Sequence, residues 1–407
     1  MGIVKRISVR EIDDLDKGVD LKEAFKLVEN FELKEELINK FDIDLNENPF
    51  LKIKGAKTLV NALLRLEKKV YKFDVDTEIS SIHIGKYYDK KSIEIELLNL
   101  ADEDLLKRYQ VDRLTSKSFY TVRTDLLDGL YKADKFLTHL KSIEFEELIE
   151  STIDKLEELN KNNSKKIKLR FLEDEEGELF TRAITSTSVY KDYNNNFSVF
   201  MALFQLNALN KLGYSFEVEQ FSFDDSEIYV LFRQTNSTQK IEKDVTLTFA
   251  LELTNSEIKS KAVKLNGNFI INTKRGAVYT KNNVKTSVLS IRHGYTIRKA
   301  KDYINSLPDN ISQYIADSID NYKNINKLKK FEDIQSFLSK KIDKSNNEEI
   351  KKYKTKLKNT LKGRVNSLVD LLEKMDKLES IIAHEDIKAI DFLREKIYDS
   401  LIKRGKN

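Results

Sequence analysis

Two adjoining stretches decide the fold class: IKLRFLEDEEGELFTRAIT at residues 167–185 and FSVFMALFQLNALNKLG at residues 197–213. Residues 167–172 and 179–184 alternate apolar and polar side chains, the period of a half-buried strand. The acidic run 173–178 between them contains a glycine and supplies the turn, so the stretch predicts a hairpin. In the second stretch Phe200, Leu203, Phe204, Ala208 and Leu209 recur at helical spacing, with apolar neighbours on most sides. Such a helix is buried rather than amphipathic, and Gly213 fits its C-terminal cap. Residues 214–223, 227–233 and 245–254 alternate again, with Asp224, Asp225 and Ser226 turning the first pair. The expected class is α+β, with a central antiparallel sheet packed on a buried helix and helical regions on both sides.

Outward from this centre the period changes. Residues 1–163 are expected to be mostly helical. Phe25, Val28, Leu33 and Leu37 lie at helical spacing in 21–41, and Leu59, Leu63, Leu66 and Val70 in 57–71. Residues 119–140 and 145–159 repeat the pattern, while 80–88 are short and β-like. The polar, Asn- and Lys-rich stretch 160–166 marks a boundary, which gives a sheet domain over 164–301. Residues 302–407 return to helix, with amphipathic stretches at 311–322 and 331–342. Leu361, Val365, Leu368, Leu372 and Met375 follow 4-3-4-3 spacing, and Ile387, Ile390, Leu393, Ile397 and Leu401 form a second stripe. Two heptads are short for an independent coiled coil, so an intramolecular helical hairpin is expected ahead of the alternative, a dimer seam.

Composition excludes several chemistries. The 407 residues contain no cysteine, which removes disulfides, thiolate metal sites and cysteine nucleophiles. His83, His139, His293 and His384 show no metal-ligand spacing. No phosphate-cradling glycine loop and no nucleophile elbow occurs. The match of 237–240 to Ser-x-x-Lys reads as a loop between strands. The acidic run 173–178 reads as a solvated turn rather than a metal cluster. No cofactor or metal is expected, and an enzyme is not required. No run of about eighteen apolar residues occurs, so no membrane-spanning helix is expected. Residues 1–10 have no long apolar run after their charges, so no signal peptide is expected, and the expected location is the cytoplasm.

Charge divides the chain more sharply than composition. Residues 1–167 carry 30 Lys+Arg against 34 Asp+Glu; residues 168–257 carry 8 against 15. Residues 258–301 carry 11 against none, and residues 302–407 carry 22 against 18. The acid-free segment holds Lys259, Lys261, Lys264, Lys274, Arg275, Lys281, Lys285, Arg292, Arg298, Lys299 and Lys301, with His293, Tyr279 and Tyr295 among them. Cations neutralise phosphates and release counterions, and tyrosines stack on unpaired bases. The segment is therefore a candidate nucleic-acid face. The competing reading is a positive sheet edge neutralised by the acidic strands before it. A second basic cluster, from Lys351 to Arg364, includes Lys354 and Lys358 and reads either as part of that face or as a solvated helix.

Several short motifs are also arranged in a familiar order. Arg182-Ala183-Ile184-Thr185-Ser186 is followed by Tyr190 and Tyr193, then by the buried helix. Leu253-Thr254-Asn255-Ser256-Glu257 and Ile291-Arg292-His293-Gly294 come later. Over roughly residues 170–310 this order resembles a phage- and plasmid-borne family known as domain of unknown function 932. Lys259 stands where that family commonly has glycine, and its cysteine-containing element is absent. The resemblance implies a mobile-element setting and supplies no reaction. It singles out Asn255, Glu257, Arg275, Arg292 and His293 as site candidates. Their structural alternative is turn formation for Asn255 and Ser256, and an ion pair of Glu257 with Arg292 or Arg275. The expected function is a phage or plasmid nucleic-acid-binding protein acting in replication, recombination or DNA protection, with single-strand annealing as one activity. The alternative is a phage protein that binds a host protein, such as a bacterial defence component. An oligomer fits either.

Overall fold

The computed structural model describes residues 3–88, 92–258, 261–282, 287–327 and 330–403. The protein is a mixed α+β chain with two main antiparallel-rich sheets. In chain order the sheet strands are β1 (Ile7–Val9), β2 (Tyr71–Glu78), β3 (Ile82–Tyr87), β4 (Ile93–Leu97), β5 (Leu114–Ser118), β6 (Lys166–Glu173) and β7 (Leu179–Thr185). There follow β8 (Phe216–Phe223), β9 (Glu227–Gln234), β10 (Gln239–Glu242), β11 (Val245–Ser256), β12 (Val263–Thr273), β13 (Ala277–Tyr279) and β14 (Ser287–Ile291). Among the described residues no helix is long and apolar enough to cross a membrane.

The chain divides into two compact units. The first comprises Met1–Val4, Leu64–Asp192 and Glu257–Ser260; the second comprises Lys5–Leu63, Tyr193–Ser256 and Lys261–Asn407. The expected boundary at 163/164 thus falls inside the first unit, and the one at 301/302 inside the second.

The first unit is built on a six-stranded sheet in the order β2-β6-β7-β5-β4-β3. Among the described residues the β5–β7 pair is parallel and the other pairs are antiparallel. Residues 166–185 form the expected hairpin, with Gly177 at φ +79° in its turn. Its partners are a surprise relative to the helical expectation for 1–163. Tyr71, Phe73 and Val75 alternate with Lys72, Asp74 and Asp76, and β2 pairs with β6 along its whole length. Ile93, Ile95 and Leu97 alternate with Glu94 and Glu96 in β4 and are buried, 0–1% exposed. The helices Asp134–Ser142 and Glu146–Asn160 bury Leu137, Leu140, Ile149 and Ile153 in the same core.

The second unit holds an eight-stranded antiparallel sheet, β1-β8-β9-β11-β12-β13, with β10 on β11 and β14 on β12. Its long central strands pair Phe249 with Phe269 and Leu253 with Leu265. The helix Asn195–Lys211 has twelve buried residues, as its all-round apolar pattern requires. The Asn194 side chain caps it by accepting from Phe197 N at 2.8 Å. The hairpin 166–185 therefore belongs to a different sheet from the strands after the helix; alternation identifies strands, but not which sheet they join.

Helices Leu307–Lys323, Phe331–Asp343, Leu368–Ile381 and Ile387–Tyr398 complete the second unit. The expected apolar seam is interrupted, because residues 362–367 are not helical. Gly363 takes φ +87°, and the Gln335 amide donates to the carbonyls of Leu361 and Gly363. Leu361 and Val365 are buried, but they do not continue the Leu368–Ile381 helix.

Candidate nucleic-acid interface

The acid-free segment runs through β12, β13 and β14 and ends in the first turn of the helix Ile297–Asn305. Strand alternation splits its side chains between two faces, and only part of the expected set reaches solvent.

Tyr279 and Lys281 point inward. The Tyr279 hydroxyl donates to Glu219 Oε1 at 2.8 Å, and the Arg394 guanidinium sits 4.7 Å from its ring centre. Burial, then the Glu219 carboxylate, pushes its phenol far above the ordinary range. With its ring face occupied, Tyr279 is not a stacking platform. Lys281 Nζ lies 2.6 Å from Glu252 Oε1 and 3.0 Å from Asp391 Oδ2. Burial works against its charge, but the two carboxylates outweigh that and hold its pKa well above the usual lysine value. His293 is 8% exposed, with Nε2 3.2 Å from the Lys261 carbonyl oxygen and its ring 6.2 Å from that of Tyr193. These three residues are corrections to the expected binding set: His293 is buried, Tyr279 and Lys281 are half-buried with their polar ends held by carboxylates, and Glu219 and Glu252 come from the acidic stretch that precedes them.

Other cations are paired: Lys274 and Arg275 are exposed, Lys354 and Lys358 half-buried. Lys274 meets Asp244 at 3.0 Å, and Arg275 meets Glu373 at 3.1 Å. Lys354 and Lys358 share Asp343, at 3.8 and 2.9 Å. Lys285 lies outside the described residues, as does Lys259.

Arg292, Arg298 and Lys299 differ. All three are exposed, and among the described residues none has an acidic partner within ion-pair distance. They flank a turn whose geometry is fixed from inside. Tyr295 N donates to the Arg292 carbonyl at 2.9 Å, and the buried Tyr193 hydroxyl donates to the Tyr295 carbonyl at 2.6 Å. Thr296 caps the helix, its Oγ1 accepting from Lys299 N at 3.2 Å. Ile297, Ala300 and Ile304 anchor the helix in the core, which leaves Arg298, Lys299 and Tyr303 on the outer side.

The rings of Tyr295 and Tyr303 stack at 5.4 Å and 15°. Lys299 Nζ lies 4.0 Å from the Tyr295 ring centre, a cation–π contact. Tyr303 is 39% exposed, and its hydrogen bond to Tyr295 raises its phenol. Tyr303 was absent from the sequence expectation because it lies two residues past the acid-free segment. Its i, i+4 spacing from Lys299 was the available signal.

Of the family-like motif residues, Arg182, Asn255 and Glu257 lie in buried networks instead. In the first unit, Glu257 Oε2 takes Arg182 Nη1 at 2.6 Å and Lys72 Nζ at 3.1 Å. Its carbonyl accepts from Arg170 Nη1 at 2.9 Å and from the Tyr190 hydroxyl at 3.0 Å. Arg170 also holds Asp74 at 3.0 Å and Asp192 at 2.7 Å. Glu257 is thus an ion-pair partner, though of Arg182 and Lys72 rather than Arg292 or Arg275. In the second unit, Asn255 Nδ2 donates to the Tyr193 carbonyl at 2.8 Å and ties the end of β11 to the turn before the buried helix. Among the described residues, no group of three or more His, Asp or Glu is arranged to hold a metal ion.

No protein-family model, curated protein or solved structure matches the chain.

Proposed function

We propose that this protein binds nucleic acid without catalysis, through the corner formed by Arg292, Tyr295, Arg298, Lys299 and Tyr303. The observation that carries the reading is a stacked tyrosine pair at the surface, flanked by three exposed cations that have no acidic partner among the described residues. Cations placed this way hold phosphates, and the outer tyrosine offers its ring to an unpaired base. The corner therefore suits a single strand better than a duplex, whose bases are already stacked. Its backbone is fixed by Tyr193 and Thr296, so binding does not have to order the turn. A phage or plasmid setting, with a role in replication, recombination or DNA protection, rests on the order of the short motifs alone.

Fluorescence anisotropy with labelled single- and double-stranded oligonucleotides of equal length tests the reading. Binding is expected at low salt, tighter for the single strand. Absence of binding to either at low salt defeats it. Capture of a host protein that survives nuclease treatment, together with no oligonucleotide binding, favours the host-protein alternative.

A further inference from the structure

The helices Asp134–Ser142 and Glu146–Asn160 of the first unit carry an apolar surface that their own core does not use. Leu137, Leu140, Ile149 and Ile153 face inward and are buried. Phe136 is 50% exposed, Ile143 46%, Phe145 57% and Leu148 43%. Phe136 lies in the first turn of the first helix, Ile143 and Phe145 in the connecting turn, and Leu148 in the first turn of the second helix. Three of the four lie in or directly beside the connecting turn. Scattered single apolar residues need no explanation, but four large ones within thirteen positions do.

The charges beside them are sorted by helix. Lys132 and Lys135 flank Phe136, both exposed and without an ion pair among the described residues. Glu147, Glu150 and Asp154 line the second helix at i, i+3 and i+7, also exposed and without an ion pair among the described residues. The first helix thus presents a positive margin and the second a negative one, and exposed Glu144 adds a negative charge to the turn between them. We infer that this hairpin is a self-association surface, on which a second copy of the chain docks about a two-fold axis. In such an isologous contact each residue meets its counterpart's partner. The Lys132/Lys135 margin of one copy then faces the Glu147/Glu150 margin of the other, and the four apolar side chains close the centre. A foreign partner would need its own matching pair of margins; a second copy has them by symmetry.

The area is consistent with a reversible dimer. Four half-exposed side chains of this size expose roughly 300–400 Å² per copy. That is about half of the ~800 Å² per partner buried in a standard interface. The charged margins supply the rim.

Sedimentation equilibrium of the nuclease-treated full chain, from about 1 to 100 μM and at low and high salt, tests the inference. The expected result is a monomer–dimer equilibrium weakened by salt. Phe145→Asp with Leu148→Asp is expected to raise the dissociation constant more than about tenfold, roughly 1.4 kcal/mol. Because both side chains lie on the surface, circular dichroism should match the parent. Lys135→Glu alone weakens the dimer, and adding Glu147→Lys restores it. A monomer at every concentration overturns the inference, as does a dimer that the double aspartate variant leaves intact.

Discussion

The distinction between Tyr303 and Tyr279 is the sharpest at the scale of single residues. Both are tyrosines near cations, but Tyr303 is exposed whereas Tyr279 is half-buried, with its hydroxyl on Glu219 and Arg394 over its ring. Replacing Tyr303 by leucine should weaken single-strand binding by about 1–3 kcal/mol, read as a loss of anisotropy affinity with little change in its salt dependence. Tyr279→Phe should leave binding unchanged and cost about 1 kcal/mol of stability in urea unfolding, because it removes one hydrogen bond to Glu219. Equal losses of binding for the two variants would contradict this assignment. Lys281 gives a separate test. Its replacement by alanine leaves Glu252, which is 0% exposed, without its cation, and should cost about 3–5 kcal/mol. The folded-state pKa of Lys281 is raised, so its contribution is full below the unfolded value of about 10.4 and is lost as pH rises through the folded value. Urea unfolding of the parent should therefore show this loss only above about pH 10.

Elements explain why part of the fold was legible and part was not. The helix Asn195–Lys211 could be read because its apolar residues surround it and Gly213 follows its end, while its capping residue Asn194 went unread. The hairpin 166–185 could be read because an acidic turn separates two alternating runs. Strand β2 carries the same signal in Tyr71, Phe73 and Val75, but directly follows a strong helical run ending at Val70, and the helical period was carried too far. The seam from Leu361 to Met375 failed for the opposite reason: spacing alone hid Gly363, whose positive φ ends the pattern. Close packing between elements was invisible altogether. A Cβ on Gly267 in β12 would collide with the Tyr314 ring. Gly267→Ala should accordingly destabilise the protein by roughly 1–3 kcal/mol in urea unfolding, whereas Gly177→Ala meets no atom within 4 Å and is penalised only through its positive φ.

Across the whole molecule, the informative quantity was the uneven distribution of charge rather than its total. The excess of eleven cations in residues 258–301 was plain in the sequence. Which of them remain available was not, because the neutralising groups come from far away: Glu252 and Asp391 for Lys281, Glu373 for Arg275, Asp244 for Lys274. Folding pairs Lys261, Lys274, Arg275, Lys281 and Lys301 with carboxylates; among the described residues it leaves Lys264, Arg292, Arg298 and Lys299 without one, the last three around the tyrosine stack. The motif residues Arg182, Asn255 and Glu257 are spent on buried networks, so their pattern reports architecture more than a site.

The salt dependence of single-strand binding, compared between the parent and an Arg292→Glu, Arg298→Glu, Lys299→Glu variant, tests the central claim most directly. Three phosphate contacts predict a slope of log affinity against log salt of roughly −2, from about −0.7 per contact. The variant should lose most of its affinity at low salt while unfolding in urea like the parent. Undiminished binding by the variant, or an affinity flat across salt, would contradict the claim.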